Sequence, residues 1–191
     1  MSVFQPIVDI ESRQVTGYEA LTRFGEEPPS VVFARAAAIG LGVELERACL
    51  RSSMEAGATL PAASWLSLNV SPELLTTGTA LRELVADSAR KLIFEITERM
   101  PIIDYEGMRS AIESLGPSVQ LAIDDAGAGY ASLRHIIELR PSVVKLDIGL
   151  IRGIDVDPIR QAMVAGSSIS RTRSAAPWWA RASRRSRRRR S

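Results

Sequence analysis

Two adjacent carboxylates, Asp124 and Asp125, end the apolar run Val119-Gln120-Leu121-Ala122-Ile123 and are followed at once by Ala126-Gly127-Ala128-Gly129-Tyr130, a segment with almost no side-chain bulk. A strand that ends in paired anions holds them rigidly, and glycines just beyond it permit backbone angles and close approach that a β-carbon blocks. That is one way for a chain to offer carboxylates to a metal ion or to a phosphate. Taken by itself, the pair also reads as a turn with a capping Asp, because Asp and Gly are the commonest turn residues.

Further polar groups end further apolar runs. Tyr18-Glu19-Ala20-Leu21 closes one, and Trp65-Leu66-Ser67-Leu68-Asn69 ends a second on an amide. Lys91-Leu92-Ile93-Phe94-Glu95-Ile96-Thr97-Glu98 carries two more acids, and Val143-Val144-Lys145-Leu146-Asp147 a lysine and an acid. Spacings of about 20 to 45 residues are those of a strand-helix repeat. Side chains two apart on a strand share a face, so Lys145 and Asp147 are expected to point the same way, and one position in each run can face a common centre. Leu66, Leu68, Phe94, Ile96, Leu121, Ile123, Val144 and Leu146 are expected on the inward faces. Acids, an amide and a lysine converging in this way would repel one another without a cation.

The elements that must position these groups follow from the same pattern. Strands are predicted at 3–9, 15–23, 64–70, 91–97, 119–124 and 142–147. Val31 to Ala37 and Val43 to Glu55 read as helices broken at Gly40-Leu41-Gly42. Ser71-Pro72-Glu73 opens another helix, with Ser as cap, Pro in the first turn and Glu at the positive end of the dipole. Asp104 and Asp157-Pro158 open two later ones, and His135, in a helix from Ala131 to Leu139, matches no ligand position and reads as structural.

The residues Phe4-Gln5-Pro6-Ile7-Val8, Glu19-Ala20-Leu21-Thr22-Arg23, Asn69, Glu95-Ile96-Thr97-Glu98, Asp124-Asp125-Ala126-Gly127-Ala128-Gly129-Tyr130 and Lys145-Leu146-Asp147 resemble, in order, the motifs of the EAL domain. The resemblance implies an α/β fold, a modified TIM-type (β/α)8 barrel whose first strand runs against the others. It also implies a cyclic di-GMP phosphodiesterase, or a relative that binds the nucleotide or a protein partner without cutting. By the same resemblance, Glu19, Asn69, Glu95 and Asp124 bind a metal ion and Asp125 reaches a second. Lys145 positions the attacking water or contacts phosphate, Glu98 holds the loop after Asp125, and Gln5 and Arg23 touch the nucleotide. Oxygen donors without Cys or His favour Mg²⁺ or Mn²⁺ over zinc.

After Gly166 the chain departs from that pattern. The family adds two more strands bearing a Glu-Gly-Val-Glu and a Gln-Gly-Tyr motif, and neither occurs in residues 167–191, which hold nine Arg, seven Ser, Trp178-Trp179 and no acid. The expectation is a partial domain over 1–166, with about six of eight strands, and a disordered appendage over 167–191. Without the strand-seven glutamates the chain is expected to be inactive or nearly so, and to self-associate through its unclosed sheet. The net charge of +2 comes from the appendage, since residues 1–166 carry 15 basic and 22 acidic side chains. An arginine run of this kind reads as a solvated face, so no specific nucleic acid is expected. Cys49 is single, which excludes an internal disulfide, and neither a signal peptide nor an apolar run of about 18 residues occurs. A cytoplasmic location with no membrane span is therefore expected.

Overall fold

The structure, a computed structural model, describes residues 1–168 other than 78, 87, 98, 99, 128 and 129. Six strands form one sheet: β1 (Ser2–Val8), β2 (Val15–Thr22), β3 (Trp65–Asn69), β4 (Leu92–Thr97), β5 (Val119–Ala126) and β6 (Val143–Leu146). The helices are α1 (Pro29–Ala38), α2 (Gly42–Gly57), α3 (Pro72–Thr76), α4 (Thr79–Ala86), α5 (Tyr105–Ser114), α6 (Tyr130–Leu139), α7 (Ile148–Ile151) and α8 (Pro158–Ser168). Spatial order follows chain order from β1 to β6. The β1–β2 pair is antiparallel and the other four pairs are parallel. Parallel neighbours need crossover connections, and helices supply them after β2, β3, β4 and β5. This is an incomplete TIM-type barrel, curled and open between β1 and β6.

The capping residues act as their side-chain chemistry dictates. Ser71 Oγ accepts from Leu74 N–H at 3.1 Å, and Asp104 Oδ1 accepts from Gly107 N–H at 2.9 Å. Asp157 Oδ1 accepts from the N–H groups of Ile159 and Arg160, opening α8, which runs to Ser168. The expected tail at 167–191 lies outside the described residues from 169 onward. Among the described residues, no helix is long and apolar enough to cross a membrane.

The apolar residues expected inside the barrel lie on its outside. Leu66, Leu68, Phe94, Ile96, Leu121, Ile123 and Val144 belong to a core shared with Leu50, Leu74, Leu81, Val85, Met108 and Leu139 of the helices, and Leu146 packs against the same cluster. The inner face is built from the intervening positions. Ile93, Ala122 and Val143 form a separate buried cluster with Trp65. A one-residue change of parity moves every side chain of a strand to the other face, which accounts for the reversal. Gly17 belongs to the inner arrangement: a β-carbon there would overlap the Trp65 indole, so only glycine lets the ring lie across β2.

Asp147 also departs from expectation. The strand ends at Leu146, and Asp147 caps α7, its Oδ1 accepting from Gly149 N–H at 2.7 Å. It therefore does not continue the face of Lys145.

Candidate metal centre

Four of the expected site residues meet at the C-terminal ends of four strands. Lys145 Nζ, from β6, donates to Glu95 Oε2 of β4 and lies 3.1 Å from Asp124 Oδ1 of β5 and 3.4 Å from Glu19 Oε2 of β2. Glu19, Glu95 and Asp124 each offer a carboxylate oxygen within 4.8 Å of the others'. The parallel register brings them there, since Glu19 pairs with Ser67, Asn69 with Glu95, and Thr97 with Asp124. All occupy the inner parity, above the floor of Trp65, Ile93, Ala122 and Val143.

The remaining candidates lie around this group. Gln5 is the antiparallel partner of Glu19, so the two share a face on adjacent strands. Asn69 ends β3, exposed and level with Glu95. Arg23 lies one residue past β2, exposed, with its backbone N–H bonded to Met1 O at 2.8 Å. Asp125 is exposed and left-handed, with φ 56°, at the irregularity between Ile123 and Ala126 in the pairing of β5 with β6. Such a backbone costs about 1–3 kcal/mol for a residue with a β-carbon and turns Asp125 away from the strand's regular alternation. Gly127 has φ 108°, and a β-carbon there would overlap Leu150 Cδ1, so this glycine of the loop is required twice over. Glu98 lies outside the described residues.

The electrostatics of the cluster are unbalanced. Glu19, Glu95 and Lys145 are 2, 1 and 5 % exposed. With all three carboxylates ionised, one ammonium would leave an excess of two negative charges, in a cluster where Glu19 and Glu95 are shut off from water and Asp124 is only partly exposed, a situation relieved by a further cation or by a proton. Burial pushes the Glu95 carboxyl up to about 7 although Lys145 draws it down, and Glu19 and Asp124 push it the same way as burial. Burial acts to lower the Lys145 ammonium, but Glu95, Asp124 and Glu19 outweigh it and hold it above the ordinary lysine range.

Three supporting arrangements escaped the sequence reading. Ser67, wholly buried, donates its hydroxyl to Glu95 Oε1 and stands 3.3 Å from Ile93 O, so one Glu95 oxygen is fixed and Oε2 is left to face the centre. Its place two residues before Asn69, on the same face, was the available signal. Glu46 of α2 accepts from the backbone N–H of Ser71 and, at 2.6 Å, from its hydroxyl, fixing the turn that follows Asn69. Burial raises its carboxyl above the ordinary glutamate range. Tyr105 Oη stands 2.8 Å from His135 Nδ1, and His135 Nε2 3.2 Å from Met100 O. A carbonyl only accepts, so Nε2 carries the proton and Nδ1 accepts from the phenol. This bracket, with His135 buried, ties α6 to the segment after β4, in keeping with the structural part expected of that residue.

The donor set fits a hard divalent cation: three carboxylates within reach of one another, with an amide and a fourth carboxylate on neighbouring strand ends and no thiol or imidazole among them. Comparison with known proteins agrees with this chemistry. The EAL domain family matches residues 2–172. The probable cyclic di-GMP phosphodiesterase PdeD of Escherichia coli is 30 % identical over 171 residues, covering 83 % of this chain and 32 % of its own length, so the chain spans about a third of that relative. Klebsiella pneumoniae BlrP1, solved with manganese and cyclic di-GMP, superposes with a TM-score of 0.75 at 28 % identity, over 88 % of this chain and 45 % of BlrP1. A standalone EAL protein of Vibrio cholerae, solved with cyclic di-GMP bound, gives 0.70 at 27 % identity, over 87 % and 74 %.

Proposed function

The chain belongs to the EAL domain family, and we propose that its strand-end cluster is a divalent-cation site, for Mg²⁺ or Mn²⁺, that engages cyclic di-GMP. The observation that carries this reading is the convergence of Glu19, Glu95 and Asp124 on Lys145 in a buried position with excess negative charge. Glu19, Asn69, Glu95 and Asp124 would hold the ion, with Asp125 at a second position. A cation there supplies Lewis acidity toward a phosphodiester oxygen. The chain's own residues do the rest. Gln5, beside Glu19, and Arg23, at the open end of β2, contact the nucleotide. Lys145 offers positive charge to phosphate, Ser67 keeps Glu95 in one orientation, and the left-handed turn at Asp125 aims its carboxylate.

A second reading, binding without turnover, is favoured by one feature of these 191 residues. The Glu-Gly-Val-Glu motif that the family resemblance assigns to a seventh strand is not among them, so these residues by themselves offer Asp125 no partner carboxylate from that strand. We read residues 1–166 as the partial domain and 167–191 as an appendage, and place self-association and a cytoplasmic setting within the same proposal. Calorimetric titration with Mn²⁺, then with cyclic di-GMP, tests the site, and chromatography of the linear dinucleotide tests turnover. Equal Mn²⁺ heats from the parent, Asp124→Ala and Glu95→Ala would overturn the metal assignment.

A further inference from the structure

The three carboxylates that make the candidate site already have a cation among them. An ammonium has three N–H donors, and Lys145 Nζ has three carboxylates within 3.4 Å, one from each of β2, β4 and β5. The competition is sharpest at Glu95. Its Oε1 accepts from the Ser67 hydroxyl, which leaves Oε2 as the oxygen with both lone pairs available to a metal, and Oε2 is the one Lys145 holds. A divalent ion binding these oxygens would stand beside the ammonium in a buried space, where like charges repel strongly. A four-carbon stem with free torsions lets the ammonium leave without moving the strand. Asp124, partly exposed, marks the side of the cluster that opens toward solvent.

We infer that Lys145 is a resident counter-ion that holds the carboxylates together in the metal-free protein and that a divalent cation displaces toward the mouth of the site. The inference rests on the metal-binding reading above and adds a cost to it: only the fraction of molecules with Lys145 withdrawn is competent to bind, so the affinity is reduced by that fraction. The same displacement delivers the ammonium to the side from which a phosphate would approach, and only once the metal is in place.

The sequence makes this directly measurable, because Lys91 and Lys145 are its only lysines and Lys91 is exposed. Reductive methylation of the 191-residue chain, read by peptide mass spectrometry, is expected to modify Lys91 at the same rate with and without Mn²⁺. Lys145, protected in the metal-free protein, is expected to react at least about tenfold faster at saturating Mn²⁺, as a released side chain does relative to a sequestered one. In calorimetry Lys145→Met is expected to bind Mn²⁺ about tenfold tighter or more, by removal of the competing state. If the variant does not fold, the methylation of the parent decides alone. Lys145 equally or less reactive with Mn²⁺, while Asp124→Asn abolishes the Mn²⁺ heat, would overturn the displacement and leave the metal site standing. No Mn²⁺ heat from the parent would overturn both.

Discussion

Replacement of Glu95 by glutamine isolates the energetic strain in the site. Glu95 is 1 % exposed, and burial raises its carboxyl from 4.5 to about 7 against the pull of Lys145. The folded chain therefore keeps a proton on Glu95 over a range in which the unfolded chain has lost it. The resulting contribution to stability is full below 4.5 and is lost as pH rises through about 7. At about 1.36 kcal/mol per unit, ionising Glu95 in the metal-free fold costs roughly 3 kcal/mol by about pH 8, a large part of a usual domain's margin of about 5–15 kcal/mol. Glutamine has the same shape and no charge, its carbonyl can still accept from Ser67, and Lys145 keeps Glu19 and Asp124. Urea denaturation in a chelator is the assay, run from about pH 5 to about pH 8. Near pH 5 parent and Glu95→Gln should differ little, and near pH 8 the variant should be the more stable by up to ~3 kcal/mol. Glu46, raised by its own burial, titrates with the same sign, so the difference between parent and variant is the quantity to read. Added Mn²⁺ should stabilise the parent and leave the variant unchanged. A parent at least as stable as the variant near pH 8 without metal refutes the reasoning.

Gly127→Ala puts a β-carbon at φ 108° and against Leu150. It should cost about 1–3 kcal/mol in denaturation and weaken Mn²⁺ binding through Asp125, and unchanged binding would show that Asp125 is not held by this turn. Turnover of cyclic di-GMP by the chain should lie at least about a thousandfold below that of a relative carrying the full motif set, and robust hydrolysis abolished by Glu19→Ala would place the base elsewhere. Among the described residues β1 and β6 each present an unpaired edge, a template for association. The chain by itself should therefore self-associate in light scattering, and a monomer with a sharp two-state thermal transition would contradict this.

The strands were legible because each is an apolar run that ends on a polar residue, and each observed boundary falls within two residues of the expected one. Which face those runs present was not. In β4, Leu92, Ile93, Phe94, Glu95 and Ile96 are all buried, so the alternation that separates core from solvent in a one-sided sheet is missing, as it is wherever a parallel strand is covered on both sides. Asp147 misled for a related reason: an acid that ends a strand and an acid that caps the next helix look alike in sequence, and only the turn at Leu146 separates them. The site residues on strand ends were readable from local spacing and family resemblance. The partners of their supports were not, because Ser67, whose face alone was readable, acts on Glu95, Glu46 on Ser71, and Tyr105 on His135, across 28, 25 and 30 residues of chain.

The two faces of β4 also carry different burdens, and two isoleucines of nearly equal burial separate them. Ile96, 0 % exposed, belongs to the core between sheet and helices, whereas Ile93, 3 % exposed, belongs to the inner cluster, two residues before Glu95 on the same face. Truncating either to alanine removes the same atoms and should cost about 2–5 kcal/mol. The consequences for the site should differ. Ile93→Ala opens space beneath the carboxylate cluster, where the Ser67 hydroxyl and the Glu95 carboxyl offer an entering water polar partners. Hydration eases the ionisation of Glu95, so the loss of stability between about pH 5 and about pH 8 should shrink toward that of Glu95→Gln. Ile96→Ala leaves the floor dry, and its pH profile should run parallel to the parent's at lower stability. Urea denaturation of both variants at a series of pH values makes the comparison. Profiles flattened equally by the two truncations would show that Glu95 is desolvated by the sheet as a whole, and that the division of labour between the two faces drawn here is wrong.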